Sequence, residues 1–99
     1  LTFAKKMLGP YETKLGKPIV GAGTAIVNQM GEGPTLFQHQ GQWHLYWDAP
    51  GSDYSYCLAT SEDLETWKNR SPELDLPVDQ MRHGTVLKVP LSAVPGIKQ

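Results

Sequence analysis

The sequence predicts an all-β protein made of antiparallel sheets. Three observations carry that expectation. Short runs rich in β-branched and aromatic residues recur, clusters of Gly, Pro, Asn and Asp bound them, and no segment shows a sustained helical period. With 99 residues the chain is long enough for one small domain and one modest core.

The clearest unit runs from Pro34 to Gln38, turns through His39-Gln40-Gly41-Gln42 and returns from Trp43 to Trp47, a hairpin around a Gly-containing turn. A period of two puts Trp43, Leu45 and Trp47 on one face of the returning strand and His44, Tyr46 and Asp48 on the other. One of these faces should be the core. The breaker-rich loop Ala49-Pro50-Gly51-Ser52-Asp53 then leads into a third strand, Tyr54 to Thr60. In Ser61-Glu62-Asp63-Leu64-Glu65-Thr66-Trp67, polar residues flank Leu64 and Trp67. The segment therefore reads as a turn with two apolar anchors, of the kind that leads into an edge strand. Lys14 to Gly23 and Ser71 to Asp79 have the Gly, Pro and polar content of connectors, and the tail from Pro90 to Gln99 should be loosely held.

Nine Lys plus Arg against ten Asp plus Glu leave a formal net charge of -1, which gives no electrostatic case for nucleic acid or an anionic membrane as partner. Neutral or weakly charged ligands fit better. The single cysteine, Cys57, cannot close an internal disulfide and lies in an apolar run, as a small buried hydrophobe would. No stretch approaches the roughly 20 apolar residues of a membrane span, and the first residues lack the order of a signal peptide. The chain reads as soluble, with its compartment undetermined between secreted and cytoplasmic. Leu1-Thr2-Phe3-Ala4 looks like the middle of a strand, so the whole reads as an excised segment.

Two internal echoes refine the organisation. Phe3-Ala4-Lys5 followed by Leu8 and Tyr11 has the layout of Leu58-Ala59-Thr60 followed by Leu64 and Trp67, and Glu32 to Phe37 is echoed by His83 to Lys88. Both offsets fall near the spacing of propeller blades, roughly 40–50 residues. On this basis residues 1–12 end one blade, 32–70 form a complete blade, 82–90 supply the inner strand of the next, and 91–99 are a tail. The chain would then be one partial propeller over 1–99.

Five pieces in order carry a family likeness: Gly9-Pro10-Tyr11-Glu12, Glu32-Gly33-Pro34-Thr35-Leu36-Phe37, Gly41 to Asp48, Ala59 to Trp67, and Arg82-His83-Gly84-Thr85-Val86-Leu87. Together they resemble the last two blades of the five-bladed propeller of glycoside hydrolase family 43. The resemblance implies hydrolysis of O-glycosidic bonds in arabinose-, xylose- or galactose-containing plant saccharides, with inversion by a general acid and a general base. It implies that Glu32, in the Glu-Gly-Pro motif, is the general acid. It also implies that His83, with Arg82 beside it, faces the central channel, and Trp47 is a further candidate for substrate contact. The base and orienting aspartates of the family come from earlier blades, so the isolated chain should be nearly inactive. No cofactor is required on this reading, and a calcium near His83 is a further implication, although the sequence has no acidic cluster that demands one.

The chemistry explains the need for several carboxyl groups. One must protonate the leaving oxygen while another activates water on the opposite sugar face, so a single carboxyl cannot serve both roles in one step. A plainer reading makes Glu32 a solvated carboxylate in a Gly-Pro turn and His83 a backbone cap. Trp43, Trp47, Tyr46, Tyr54 and Tyr56 are explained largely as core, with at most one or two free to touch sugar. His39, His44, His83 and Cys57 lack the paired spacing of a structural zinc site. From another class, a non-enzymatic β-module that binds carbohydrate or protein is the alternative. Because blades bury their apolar faces on one another, exposed blade faces predict a homo-oligomer.

Overall fold

The computed structural model describes residues 2–3, 5–10, 12–13, 31–50, 54–77 and 81–96. They form an all-β domain with one antiparallel four-stranded sheet and a separate strand pair. Short strands β1 (Thr2–Phe3) and β2 (Glu12–Thr13) pair with each other. The main sheet follows chain order through β3 (Glu32–His39), β4 (Gln42–Asp48), β5 (Tyr56–Ser61) and β6 (Lys68–Asn69).

The hairpin forms where the sequence places it, but its turn is tighter and its strands are longer than expected. His39 pairs with Gln42, so only Gln40 and Gly41 lie in the turn, both with positive φ (50° and 80°). That combination is the one that matches the twist of paired strands, and glycine adopts it without steric cost. The core is the face carrying Leu45 and Trp47, packed with Ala49, Cys57, Ala59 and Trp67 and flanked by Leu36, Trp43, Tyr54 and Leu64. Cys57 is wholly buried and its thiol donates to the Tyr54 carbonyl, as a small core residue rather than a reactive one.

The turn after β5 is the anchored connector the sequence suggests. Ser61 Oγ accepts the amides of Asp63 and Leu64, Asp63 Oδ1 accepts those of Glu65 and Thr66, and Trp67 is buried while its indole N–H donates to the Leu64 carbonyl. These bonds satisfy backbone donors that the ladder no longer reaches. The Phe3–Glu12 and Thr2–Thr13 pairing of β1 and β2 repeats the antiparallel arrangement of β5 and β6, where Thr60 meets Lys68 and Ala59 meets Asn69.

The second echo differs from expectation. Residues 82–90, expected as an inner strand, carry no ladder among the described residues, because no neighbouring strand supplies their hydrogen bonds. Contacts with the sheet hold only their start, at Arg82, His83 and Gly84. Of the two connectors, Lys14 to Gly23 lies outside the described residues, and Ser71 begins a single 3-10 turn, Ser71–Glu73. The tail also makes one 3-10 turn, Leu91–Ala93, with no buried residue.

Candidate functional site

At the end of the sheet remote from the hairpin turn, four charged or titratable side chains meet. Glu32 opens β3 and Asp48 closes β4, and the two are directly opposed across the ladder. Like charges in that position repel. Arg82 relieves the repulsion: its Nε–H donates to Asp48 Oδ2 at 2.5 Å and its Nη2 donates to Glu32 Oε2 at 3.3 Å. The backbone N–H of His83 donates to Asp48 Oδ1 at 2.8 Å, and its ring Nε2 lies 3.6 Å from Asp48 Oδ2 and 3.9 Å from Glu32 Oε2.

Local sequence explains the geometry. Between Glu32 and Thr35 the register shifts, so Gly33 and Pro34 together occupy the place opposite Trp47. Gly33 has φ +51° and Pro34 has no N–H to place in the ladder, the two properties a β-bulge accommodates. A methyl group on Gly33 would overlap the His83 ring, so the glycine is also what lets the imidazole approach Glu32. Gly84 plays the matching part on the other side, where a side chain would meet the Tyr56 hydroxyl. Glycine thus stands at both places where this loop and the sheet approach closely. His83 itself has φ 24°, a left-handed conformation that costs a non-glycine residue about 1–3 kcal/mol and that the bond to Asp48 holds in place.

Burial divides the cluster. Asp48 is 0% exposed, whereas the side chains of Glu32 (45%) and of Arg82 and His83 (56% each) face solvent. Burial pushes the Asp48 pKa up, but the Arg82 side chain, the His83 amide and the charges of both residues outweigh it and leave Asp48 below its ordinary value. The bond to Asp48 is also the main cause that raises the Arg82 pKa, so the guanidinium stays charged. Burial raises the Tyr56 pKa against the Gly84 amide that bonds its oxygen, and that bond ties the same loop to β5.

Three of the four residues singled out from the sequence, Glu32, Arg82 and His83, are brought together here. Trp47 is not among them: it is 1% exposed and belongs to the core face with Leu45, so it offers no surface to a sugar. The expectation of substrate contact by Trp47 is corrected accordingly, since the alternation that turns Asp48 toward Glu32 turns Trp47 inward. The remaining aromatics also give little to a ligand. Phe37 stacks on His44 (5.2 Å, 11°) and Tyr46 (5.9 Å, 5°), and Tyr46 stacks on Tyr56 (5.7 Å, 22°), so their ring faces are used on one another.

Asp48 is the residue that sequence reasoning missed. Counting back from the turn along an unbroken ladder would set Gly33 against Asp48, and only the bulge moves Glu32 there. The available signal was a lone acid ending a strand of aromatic residues. Asp48 is not placed to activate water, because it is closed to solvent and both its oxygens are engaged. The Arg82 guanidinium bridges the two carboxylates, and no group of three or more His, Cys, Asp or Glu placed to hold a metal ion occurs among the described residues. Shallow hollows of about 350 and 390 Å³ lie at the hairpin end, around His44 and around Thr60, away from this cluster. No helix among the described residues is long and apolar enough to cross a membrane. No protein-family model, curated protein or solved structure matches the chain.

Proposed function

We propose that the chain is the acid-bearing part of a glycoside hydrolase resembling family 43, acting on arabinose-, xylose- or galactose-containing saccharides, with Glu32 as general acid and Arg82 and His83 as substrate-facing groups. The observation that carries this reading is the convergence of Glu32 and His83, separated by 51 positions in the chain, to 3.9 Å at one open end of a sheet. The sheet is four-stranded, antiparallel and in chain order, the unit that propellers repeat around a central channel. Closure of such a ring, with blades that bring the base and orienting aspartates, belongs to the proposal. An exposed carboxyl, a guanidinium and an imidazole side by side offer acceptor and donor atoms to adjacent sugar hydroxyls.

General acid catalysis contributes about 10²–10⁴-fold, and its loss is felt most where the leaving group is poor. In the polypeptide encoded by the complete reading frame, Glu32→Gln should therefore lower kcat/KM on alkyl pentosides by that factor and much less on nitrophenyl pentosides. The 99-residue chain by itself should turn over neither. An equal effect on both substrates, or ordinary turnover by the isolated chain, would refute the assignment. The second reading, a β-module that binds carbohydrate or protein without catalysis, is supported by the exposed Glu32, Arg82 and His83 side chains, whose polar atoms could serve binding alone. It predicts saccharide binding by the complete polypeptide that Glu32→Gln weakens, with no hydrolysis.

A further inference from the structure

We propose that Asp48 is the positioning residue of this site: by binding Arg82 and the His83 backbone it holds the 82–84 loop against the sheet and keeps the guanidinium from closing fully on Glu32. The inference rests on Glu32 being the working group, but its physical content is separate and can be measured on the chain alone.

The argument starts from competition. Two carboxylates opposed across β3 and β4 share one guanidinium, and the division is unequal, 2.5 Å to Asp48 against 3.3 Å to Glu32. The shorter contact goes to the carboxylate that water cannot reach, where an unpaired charge is costliest. Glu32, nearly half exposed, shares its charge with solvent and takes the weaker contact. Arg82 is thereby anchored through Nε, with its outer nitrogens left toward Glu32 and solvent. Without Asp48, nothing described would stop the fork from pairing bidentately with Glu32, the geometry that carboxylates favour.

The same carboxylate fixes His83. Its second oxygen accepts the His83 amide, which supports the left-handed backbone there, and Gly33 and Gly84 remove the side chains that would keep the loop away. Tyr56, the β5 neighbour of Asp48, adds a tie to Gly84. One buried anion thus sets both the cation and the imidazole around Glu32, without touching a ligand itself.

Proton NMR of the Arg82 Nε–H provides the test, with Arg70 as an internal control because it pairs with Glu73 through Nη1 only. In the unaltered chain, the Arg82 Nε–H should exchange with water at least about tenfold more slowly than that of Arg70, as a hydrogen bond to a buried carboxylate requires. Equal exchange rates overturn the proposal with no variant needed. In Asp48→Ala, which leaves no acceptor, the protection should disappear while amides of Leu45 and Ala59 stay protected, and retained protection overturns it. Turnover by the complete polypeptide separates the two claims. If Arg82 is protected but Glu32→Gln leaves alkyl pentoside hydrolysis unchanged, the positioning stands and the glycosidase reading fails. If Arg82 is unprotected while Glu32→Gln abolishes hydrolysis, the reverse holds. Where both hold, Asp48→Ala should lower kcat with KM little changed.

Discussion

At the scale of single residues, Asp48 governs how the site responds to acid. Its pKa in the folded chain lies below the ordinary carboxylate value of about 3.9, so the unfolded chain takes up the proton first. The stabilisation it provides is complete above that value and is lost as pH falls through the folded pKa. Asp63 adds the same sign, held low chiefly by the Thr66 amide and then by the Glu65 amide. Acidification from pH 5 to 2 should therefore release the 82–84 loop, measured as faster hydrogen exchange at the His83 amide. Release between pH 8 and 6 instead would contradict the role given to Asp48. Truncating Arg82 would leave this buried carboxylate without its ionic partner, so the variant should unfold at a lower denaturant concentration than the unaltered chain.

At the scale of elements, the turn between β5 and β6 decides whether the sheet keeps its fourth strand. β6 is two residues long and pairs only through Ala59–Asn69 and Thr60–Lys68, so its ladder alone is weak. Trp67, inserted beside Ala59 and Leu45 in the core, and the Ser61 and Asp63 side-chain bonds carry it instead. Beyond it, the Arg70 N–H donates to the Leu58 carbonyl and buried Ser71 bonds the Leu58 amide, extending the edge by one more step. Trp67→Ala should cost about 3–5 kcal/mol in chemical denaturation, a large share of what a domain of this size has available. A loss under about 1 kcal/mol would mean that β6 is held by something other than this anchor.

At the scale of the whole molecule, one sheet face is well covered and much apolar surface is not. The described core has few members, while Met7, Leu8, Leu76, Val86, Leu87, Val89 and Leu91 are exposed, three of them within the ladder-free stretch 82–90 and Leu91 directly after it. The indole N–H of Trp47 is buried without a hydrogen-bond partner among the described residues. In the propeller we propose, neighbouring blades would bury such surface. Self-association is the outcome we expect of the isolated chain, seen by light scattering at micromolar concentration as a species larger than 11.0 kDa. A folded monomer under those conditions would show that the exposed Val86 to Leu91 strip needs no cover.

Glu32, Arg82 and His83 became candidates through the family resemblance. Legible in the residues themselves were the all-β class, the hairpin about Gly41, the two faces of β4 and the anchored turn at Leu64 and Trp67. These follow from local chemistry: alternation, turn propensity and short motifs act over a few residues. Tertiary structure alone decided the place of Asp48, the inward turn of Trp47 and the course of residues 82–90. Each depends on which atoms meet across the chain, and a single extra residue in the bulge at Gly33-Pro34 changes which carboxylate faces which. Strand formation over 82–90 likewise depends on a neighbour to pair with, since a strand has no hydrogen bonds of its own to make.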